Sequence, residues 1–351
     1  MKPVSAKKLS QLVERLFLKE GTEAHIASAV TQTLVEGDLL GHFTHGTKLA
    51  CGYLKDIRSG HARTEDAALE VIQQSPVATQ YDAHYLLGPY AVLHALRQCA
   101  VSAKASGIGI ANIRRSHHIA CLAAYLEEFT EQGLMPIVYT SDPATASVAP
   151  FGGKARLYTP NPLAIGIPTS GKPILIDISM SEITNGQVNK SHSMGERLPQ
   201  PSLLDDQGNA SDDPSLFFSS GASILPLGGL GFGHKGFALG IMVEALTSAL
   251  GGFGRKDSPE GWGASVCVMV IDPARFGGID AFKAEMDHFV AASLNSGKRV
   301  PGQPVRLPGH RGLQLKKQAL SDGIFLPADV IASLEQAVAD AGGVPLDIYL
   351  D

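Results

Sequence analysis

The stretch Ile224-Leu-Pro-Leu-Gly-Gly-Leu-Gly-Phe-Gly-His-Lys-Gly236 decides how the fold is read, because Gly231, Gly233 and Gly236 have the spacing GxGxxG and an apolar helical run follows. A dinucleotide fingerprint of the doubly wound kind needs more than three glycines. A strand must lead directly into it, and an acidic residue must end the next strand about 20 residues on. Here a proline- and glycine-rich segment leads in, and the helical pattern runs on past Glu244. The fingerprint is therefore absent. Two readings stay open: an anion site at the start of the helix, with Lys235 adding charge, or a glycine-rich turn that packs the helix closely.

Working outward, strand and helix patterns alternate, which predicts an α/β core with some parallel pairing. Helical patterns cover Ser5 to Gly21, a second stretch capped by Thr22 and running to Leu39–Leu40, and a third from Thr44 to about Gly60. Strands are expected at Leu69–Gln73, Val77–Ala83, Ile108–Ile113, Leu134–Thr140, Leu163–Pro168, Pro173–Ile178 and Ala264–Ile271, with a short one near Ile324. Helices are expected at Gly88–Ser106, Ile119–Gln132, Gly236–Leu250, Ile279–Leu294 and Pro327–Ala341. Met180–Ser220 reads as a long irregular excursion that encloses substrate, and Arg306–Gly312 as a loop. The expected organisation has three parts. Residues 1–65 form an N-terminal helical part, 66–274 an α/β domain, and 275–351 a C-terminal helical part packing on the N-terminal helices.

Composition narrows the function. The 351 residues carry 44% hydrophobic but only 18% charged side chains, with 38 glycines, a balance common in compact α/β enzymes. A net charge of −5 with interspersed signs excludes the basic stripe of a nucleic-acid binder. Cys51, Cys99, Cys121 and Cys267 lie far apart without CxxC spacing, so they read as core thiols in a reducing cytoplasm. The N-terminus lacks the apolar core of a signal peptide, and no apolar run of membrane-spanning length occurs.

Chemistry concentrates at Gly41-His-Phe-Thr-His-Gly-Thr-Lys48. With Thr44 as a helix N-cap, His45 and Lys48 fall three apart on one helical face, a proton donor beside a cation. That pairing suits a small anionic substrate whose carbonyl gains or loses a proton while its carboxylate is held by charge. A second pair, His117-His118, follows the strand Ile108–Ile113 at a strand-to-helix junction, where α/β sheets place ligands. His118 there is a cofactor contact, a proton acceptor or a helix cap. The many histidines raise a zinc-dependent hydrolase as a competing class. HxxxH, HExxH and Cys/His clusters are all absent, so no metal is expected. A non-catalytic ligand-binding protein is the other competitor.

The series GHFTHGTKLACGYL (41–54), RRSHHIA (114–120), APFGGKARLYTPNPLAIGIP (149–168), ILIDISMSEITNGQV (174–188), LPLGGLGFGHKGFALGIMVEAL (225–246) and RLPGHRG (306–312) resembles the malate/L-lactate dehydrogenase family of NAD(P)H-dependent oxidoreductases. This family is distinct from the Rossmann-type lactate and malate dehydrogenases, and the likeness covers nearly the whole chain in order. It implies a non-Rossmann NAD(P)-binding domain with a mixed sheet, a cofactor of NAD or NADP, and a homodimer. It also implies hydride transfer between nicotinamide and C2 of a small 2-oxo or 2-hydroxy acid, or alternatively reduction of a cyclic imino acid such as Δ1-piperideine-2-carboxylate.

By the same resemblance His45 is the acid/base, with the Thr44 hydroxyl orienting its ring, and His118 is a cofactor contact or an alternative proton acceptor. Lys48 stands where many members have an arginine for the substrate carboxylate, a point charge in place of a planar fork. Asn185, Gly186 and Thr159 fall at substrate contacts. Ile119, Ala120, Cys121, Leu122, Thr140, Asp177, Ile178, Ser179, Lys235, Gly309, His310 and Arg311 fall at cofactor contacts. Gln187 replaces the aspartate of the piperideine-carboxylate reductases.

Overall fold

The structure is a computed structural model that describes residues 2–342 and 345–350. Its helices are α1 (Ala6–Lys19), α2 (Ala24–Leu39), α3 (Ala50–Arg58), α4 (Gly88–Ser106), α5 (Glu127–Thr130), α6 (Asn185–Ser193), α7 (Ser215–Ser219), α8 (Gly229–Glu244), α9 (Ile279–Leu294), α10 (His310–Asp322) and α11 (Ala328–Asp340). Its strands are β1 (Glu70–Gln74), β2 (Ala78–Asp82), β3 (Ile108–Ser116), β4 (Met135–Ser141), β5 (Leu163–Ile167), β6 (Ile174–Ile178), β7 (Leu203–Leu204), β8 (Ala210–Ser211), β9 (Ser223–Ile224) and β10 (Ala264–Ile271).

Local chemistry explains the first elements. The Ser5 side chain caps α1 by accepting from Lys8 N at 3.3 Å. The 3.6-residue spacing then puts Leu9, Leu12, Val13, Leu16 and Phe17 on one fully buried face. Burial of each contributes about 1.5–3 kcal/mol, which is what holds the helix against its own entropy. In α4, Pro89 sits in the first turn and Gly107 closes the helix at φ +90°, so the start and stop signals in the sequence bracket it.

The α/β expectation holds, with a mixed seven-stranded sheet in the order β1-β2-β3-β10-β4-β5-β6. β1 and β2 pair antiparallel, β2 and β3 parallel. The chain packs as two compact units, residues 1–138 with 164–177 and 268–351, and residues 139–163 with 178–267. These units cut across the three segments drawn from the sequence. In the first unit α11 packs on α3 and α10 on α2, and Val4 bridges to Ile324.

Several boundaries need correction. Thr22 does not cap α2: Glu23 is the N-cap residue and makes no side-chain cap bond. Residues 119–132 hold a short 3-10 turn, Leu122–Tyr125, and the four-residue α5 in place of one long helix. Residues 180–220 are ordered by α6, α7 and the three-stranded sheet β8-β7-β9, around a core of Val148, Tyr158, Val188, Leu198, Leu203 and Ile224. Helix α8 starts at Gly229, so all three GxGxxG glycines lie inside it and form no phosphate loop ahead of it. Gly236 and Gly240 are there for close packing, since a Cβ would lie 2.4 Å from the Leu227 carbonyl and 2.8 Å from the Tyr158 ring. The expected loop 306–312 runs into α10, whose amphipathic pattern was missed.

Candidate active site

The first unit assembles the histidines. Helix α2 ends in Gly41 at φ +83°, and the chain then makes two separate 3-10 turns, Phe43–His45 and Thr47–Leu49, before α3 begins. The expected Thr44-capped helix is therefore not formed. Gly46, extended at φ −98° and ψ −145°, separates His45 from Lys48, so the two do not share a helical face. The reason is Asp38. This buried carboxylate, on the last turn of α2, accepts from Thr47 N at 3.1 Å and Thr47 Oγ1 at 2.5 Å. It straps the turn down so tightly that a Cβ on Gly46 would meet its Oδ1 at 2.0 Å. Burial outweighs the two Thr47 bonds and pushes Asp38 up to about 7.

The Thr44 hydroxyl lies 3.0 Å from Nδ1 of His45, which leaves Nε2 for a ligand. The His45 and His118 rings stack with centroids 6.0 Å apart and planes at 27°. Burial, then the neighbouring His42, holds His45 below the ordinary histidine range. His118 is held far below that range by burial, then by His45 and His117. The Tyr53 hydroxyl is 2.9 Å from both the Nδ1 and the carbonyl oxygen of His118. Ala120, at φ +58°, turns its N–H toward the same Nδ1 at 3.3 Å. Behind them His117 Nε2 pairs with Asp56 at 3.0 Å. Gly88 opens α4 against this segment, where a Cβ would meet the His117 carbonyl at 2.3 Å.

Other site residues of this unit sit as follows. Lys48 Nζ donates to Asp329 Oδ2 at 2.6 Å, a half-exposed ion pair to α11. Ile119, Ala120, Cys121 and Leu122 are buried, and Asp177 accepts from Ala123 N at 3.0 Å. His42, Cys121 and Asp177 present ligand atoms within 4.8 Å of one another, a Cys/His cluster that spacing along the chain did not reveal. Gly309, at φ +80°, packs on Leu175 and caps α10. Its neighbour His310 has a buried Nε2 that no described residue hydrogen-bonds, and Arg311 is exposed.

The second unit holds the rest. Thr140 Oγ1 donates to the Ser265 carbonyl at 3.2 Å. The Thr159 hydroxyl donates to Asn161 Oδ1 at 2.7 Å and accepts from Asp142 N, so it serves the local framework. Asn161, at φ +44°, in turn donates to Gly240 and Glu244. Ser179 Oγ donates to the Ser181 carbonyl at 3.2 Å, and Ile178 is exposed. Asn185 and Gly186 open α6, and Asn185 Oδ1 is buried with no partner among the described residues. Lys235 is exposed, its ammonium 5.1 Å from the centre of the Phe232 ring.

Sequence reading missed Asp38, Tyr53 and the Asp56–His117 pair. Asp38 carries the one available signal, a charged residue directly before the apolar pair Leu39–Leu40 at the end of the helical stretch. The other partners are dozens of residues away in the chain and come together only by packing.

The profile of the family described as malate/L-lactate dehydrogenase matches residues 4–335. A malate dehydrogenase of Pyrococcus abyssi is 28% identical over 97% of this chain and 95% of its own length. A Δ1-pyrroline-2-carboxylate/Δ1-piperideine-2-carboxylate reductase of Pseudomonas syringae pv. tomato is 29% identical, with 95% of each chain covered. The crystal structure of malate dehydrogenase from Entamoeba histolytica superposes with a TM-score of 0.91 at 24% identity and 99% coverage of both chains, which shows the same fold. From the matched profile and full-length relatives it follows that this chain belongs to the malate/L-lactate dehydrogenase family of oxidoreductases.

Proposed function

We propose that the chain is an NAD(P)H-dependent dehydrogenase that interconverts a small 2-oxo acid and its 2-hydroxy acid, with His45 as the proton-transfer group. The observation that carries this reading is the His45 imidazole, oriented at Nδ1 by Thr44 and ring-stacked with His118. The cofactor fits the residues present on two counts. Within the first unit, His310 Nε2 is a buried polar atom without a hydrogen-bond partner among the described residues and is left for a ligand. In the same unit Ala120, Cys121 and Leu122 are buried, and the partly buried Asp177 lies beside them, accepting from Ala123 N at 3.0 Å.

The dinucleotide, when bound, supplies or accepts the hydride. The protein does the remainder. Because His45 is held below the ordinary histidine range, its neutral form predominates at pH 7 and accepts a proton as the hydroxy acid is oxidised. In reduction the protonated fraction donates, so the reductive rate rises as pH falls. Lys48 offers its charge to the substrate carboxylate, exchanging Asp329 for it. Surface ion pairs of this kind contribute only about 0–1 kcal/mol, so the exchange is cheap.

A second reading, reduction of a cyclic imino acid, is favoured by the 29% identity to the P. syringae reductase. Gln187, at a position where the resemblance implies an aspartate for the imino-acid reductases, argues for the oxo acid. The His45→Ala variant tests the central assignment: turnover should fall about 10²–10⁴-fold while NAD(P)H fluorescence titration still shows binding. Unchanged turnover would remove His45 from its role. Pyruvate, oxaloacetate and cyclic imino acids, each assayed with NADH and NADPH, separate the two readings.

Assembly as a homodimer belongs to the same proposal. Helix α8 exposes Leu230 and Ile241 on one face and Phe232 and Leu239 on the opposite one, apolar surface that a second copy would cover in part. Light scattering on the purified chain at twice the monomer mass supports it, and a monomer opposes it. No disulfide joins the cysteines among the described residues, in keeping with the reducing, cytoplasmic setting proposed here. No helix among the described residues is long and apolar enough to cross a membrane.

A further inference from the structure

The cluster of His42, Cys121 and Asp177 is not used by the proton-transfer reading. One imidazole nitrogen, one thiol sulfur and one carboxylate oxygen lie within 4.8 Å of one another, contributed by the turn after α2, the segment after His118 and the end of β6. Cys121 is buried, at 3% exposure, and Asp177 is held by the Ala123 N–H at 3.0 Å, whereas His42 is exposed and its ring can swing. Two anchored ligands and one adjustable one make a site that closes on an ion. Zinc binds sulfur at about 2.3 Å and nitrogen or oxygen at about 2.0–2.2 Å, so ligand atoms sharing one tetrahedral ion stand roughly 3.3–3.8 Å apart. The ligand atoms, all within 4.8 Å of one another, need to draw together by no more than about 1.5 Å to reach that spacing. A thiolate and a carboxylate sum to two negative charges with a neutral imidazole beside them, which matches a divalent cation. The sulfur selects a thiophilic ion over magnesium or calcium. The amide on Asp177 is an outer-shell contact of the kind that fixes ligand orientation.

We propose that His42, Cys121 and Asp177 form a binding site for a thiophilic divalent cation of the zinc class, and that its occupation excludes the nicotinamide dinucleotide. The second half rests on the reading above, in which Cys121 and Asp177 line the cofactor. The cation leaves one coordination position open and acts as an inhibitor that competes with the cofactor, not as a catalyst.

The test uses the full-length chain and cobalt(II) alone, whose thiolate-to-metal charge-transfer absorption reports a sulfur ligand directly. One equivalent of bound cobalt with that absorption is expected. His42→Ala, an exposed substitution that leaves the core intact, should weaken binding at least about 100-fold, since outer-shell losses alone cost 10–100-fold. Cys121→Ser should abolish the band. No band in the wild-type protein, or a band that survives in both variants, overturns the cation site. Saturating NADH or NADPH should displace the cobalt. Cobalt retained in a protein whose nucleotide fluorescence shows it fully loaded overturns the exclusion. A chain that binds cobalt but neither nucleotide overturns the cofactor reading and leaves the cation site standing.

Discussion

Substituting Gly46→Ala is the most direct probe of how the turn carrying His45 is held. The new methyl carbon would lie 2.0 Å from Asp38 Oδ1 and 2.6 Å from its Cγ. Carbon and oxygen atoms tolerate contacts down to about 3.3 Å, so the carboxylate must retreat by more than about 1 Å. Its bonds from Thr47, at 3.1 and 2.5 Å, cannot survive that retreat. Hydrogen bonds to a charged group contribute about 1.5–3 kcal/mol each, so full loss costs about 3–6 kcal/mol. Asp38 titrates near 7 and is only partly ionised at neutral pH, which places the expected loss at the lower end, about 3 kcal/mol. His45 precedes Gly46, and a displacement of about 1 Å in a positioning element costs on the order of 10²-fold in turnover. Urea unfolding with linear extrapolation measures the stability, and steady-state kinetics the turnover. The decisive comparison is a double-mutant cycle. With Asp38→Ala already in place the carboxylate clash is gone and only the 3.1 Å approach to the backbone nitrogen of residue 38 remains, so adding Gly46→Ala should cost far less than in the parent, under about 1 kcal/mol. Additive losses, or a Gly46→Ala protein as stable as its parent, would refute the strap.

Other expectations follow from the same geometry. Tyr53→Phe removes the hydroxyl that touches Nδ1 and the carbonyl of His118; a stability loss of about 1–3 kcal/mol in urea is expected, with nucleotide affinity weakened through the displaced 118–122 segment. His45, His117 and His118 are all held below their ordinary values, so the unfolded chain binds more protons than the folded one below about pH 6.5. Their contribution is complete above pH 6.5 and declines by up to about 1.4 kcal/mol per pH unit per histidine as pH falls toward the folded-state values. Replacing His118 by Gln should flatten that slope by one proton in urea titrations at successive pH values. Asp38, raised to about 7, works oppositely and penalises the fold as pH climbs from about 4 to 7, so Asp38 variants should steepen the acid side. Lys48→Ala should raise KM for the acid substrate, whereas Asp329→Ala should change stability by under about 1 kcal/mol; an unaltered KM would remove Lys48 from substrate binding.

Local sequence was enough for much of the architecture. The helices α1, α4 and α9 and the strands β2 and β10 are legible because their periodicity and stop signals act within a few residues, as with Pro89 and Gly107 around α4. The rejection of a Rossmann fingerprint at Gly231–Gly236 was also local, since the proline- and glycine-rich segment Leu225–Gly228 leads into it and the helical pattern runs on past Glu244. The turn that carries His45 was not legible in the same way. Thr44 reads as a helix cap in isolation, yet Asp38 captures Thr47 and breaks the expected helix into two turns around Gly46. Lys48 reads as a free cation until α11, some 280 residues on, brings Asp329 against it. His118 acquires its orientation from Tyr53, and Cys121 acquires His42 and Asp177, by packing between segments far apart in the chain. Helical pitch and turn chemistry depend on neighbours in the chain, so residue order reveals them. Burial, ion pairing and the pKa of a titrating group depend on which distant side chains displace water around it, and that is settled only when the chain closes on itself.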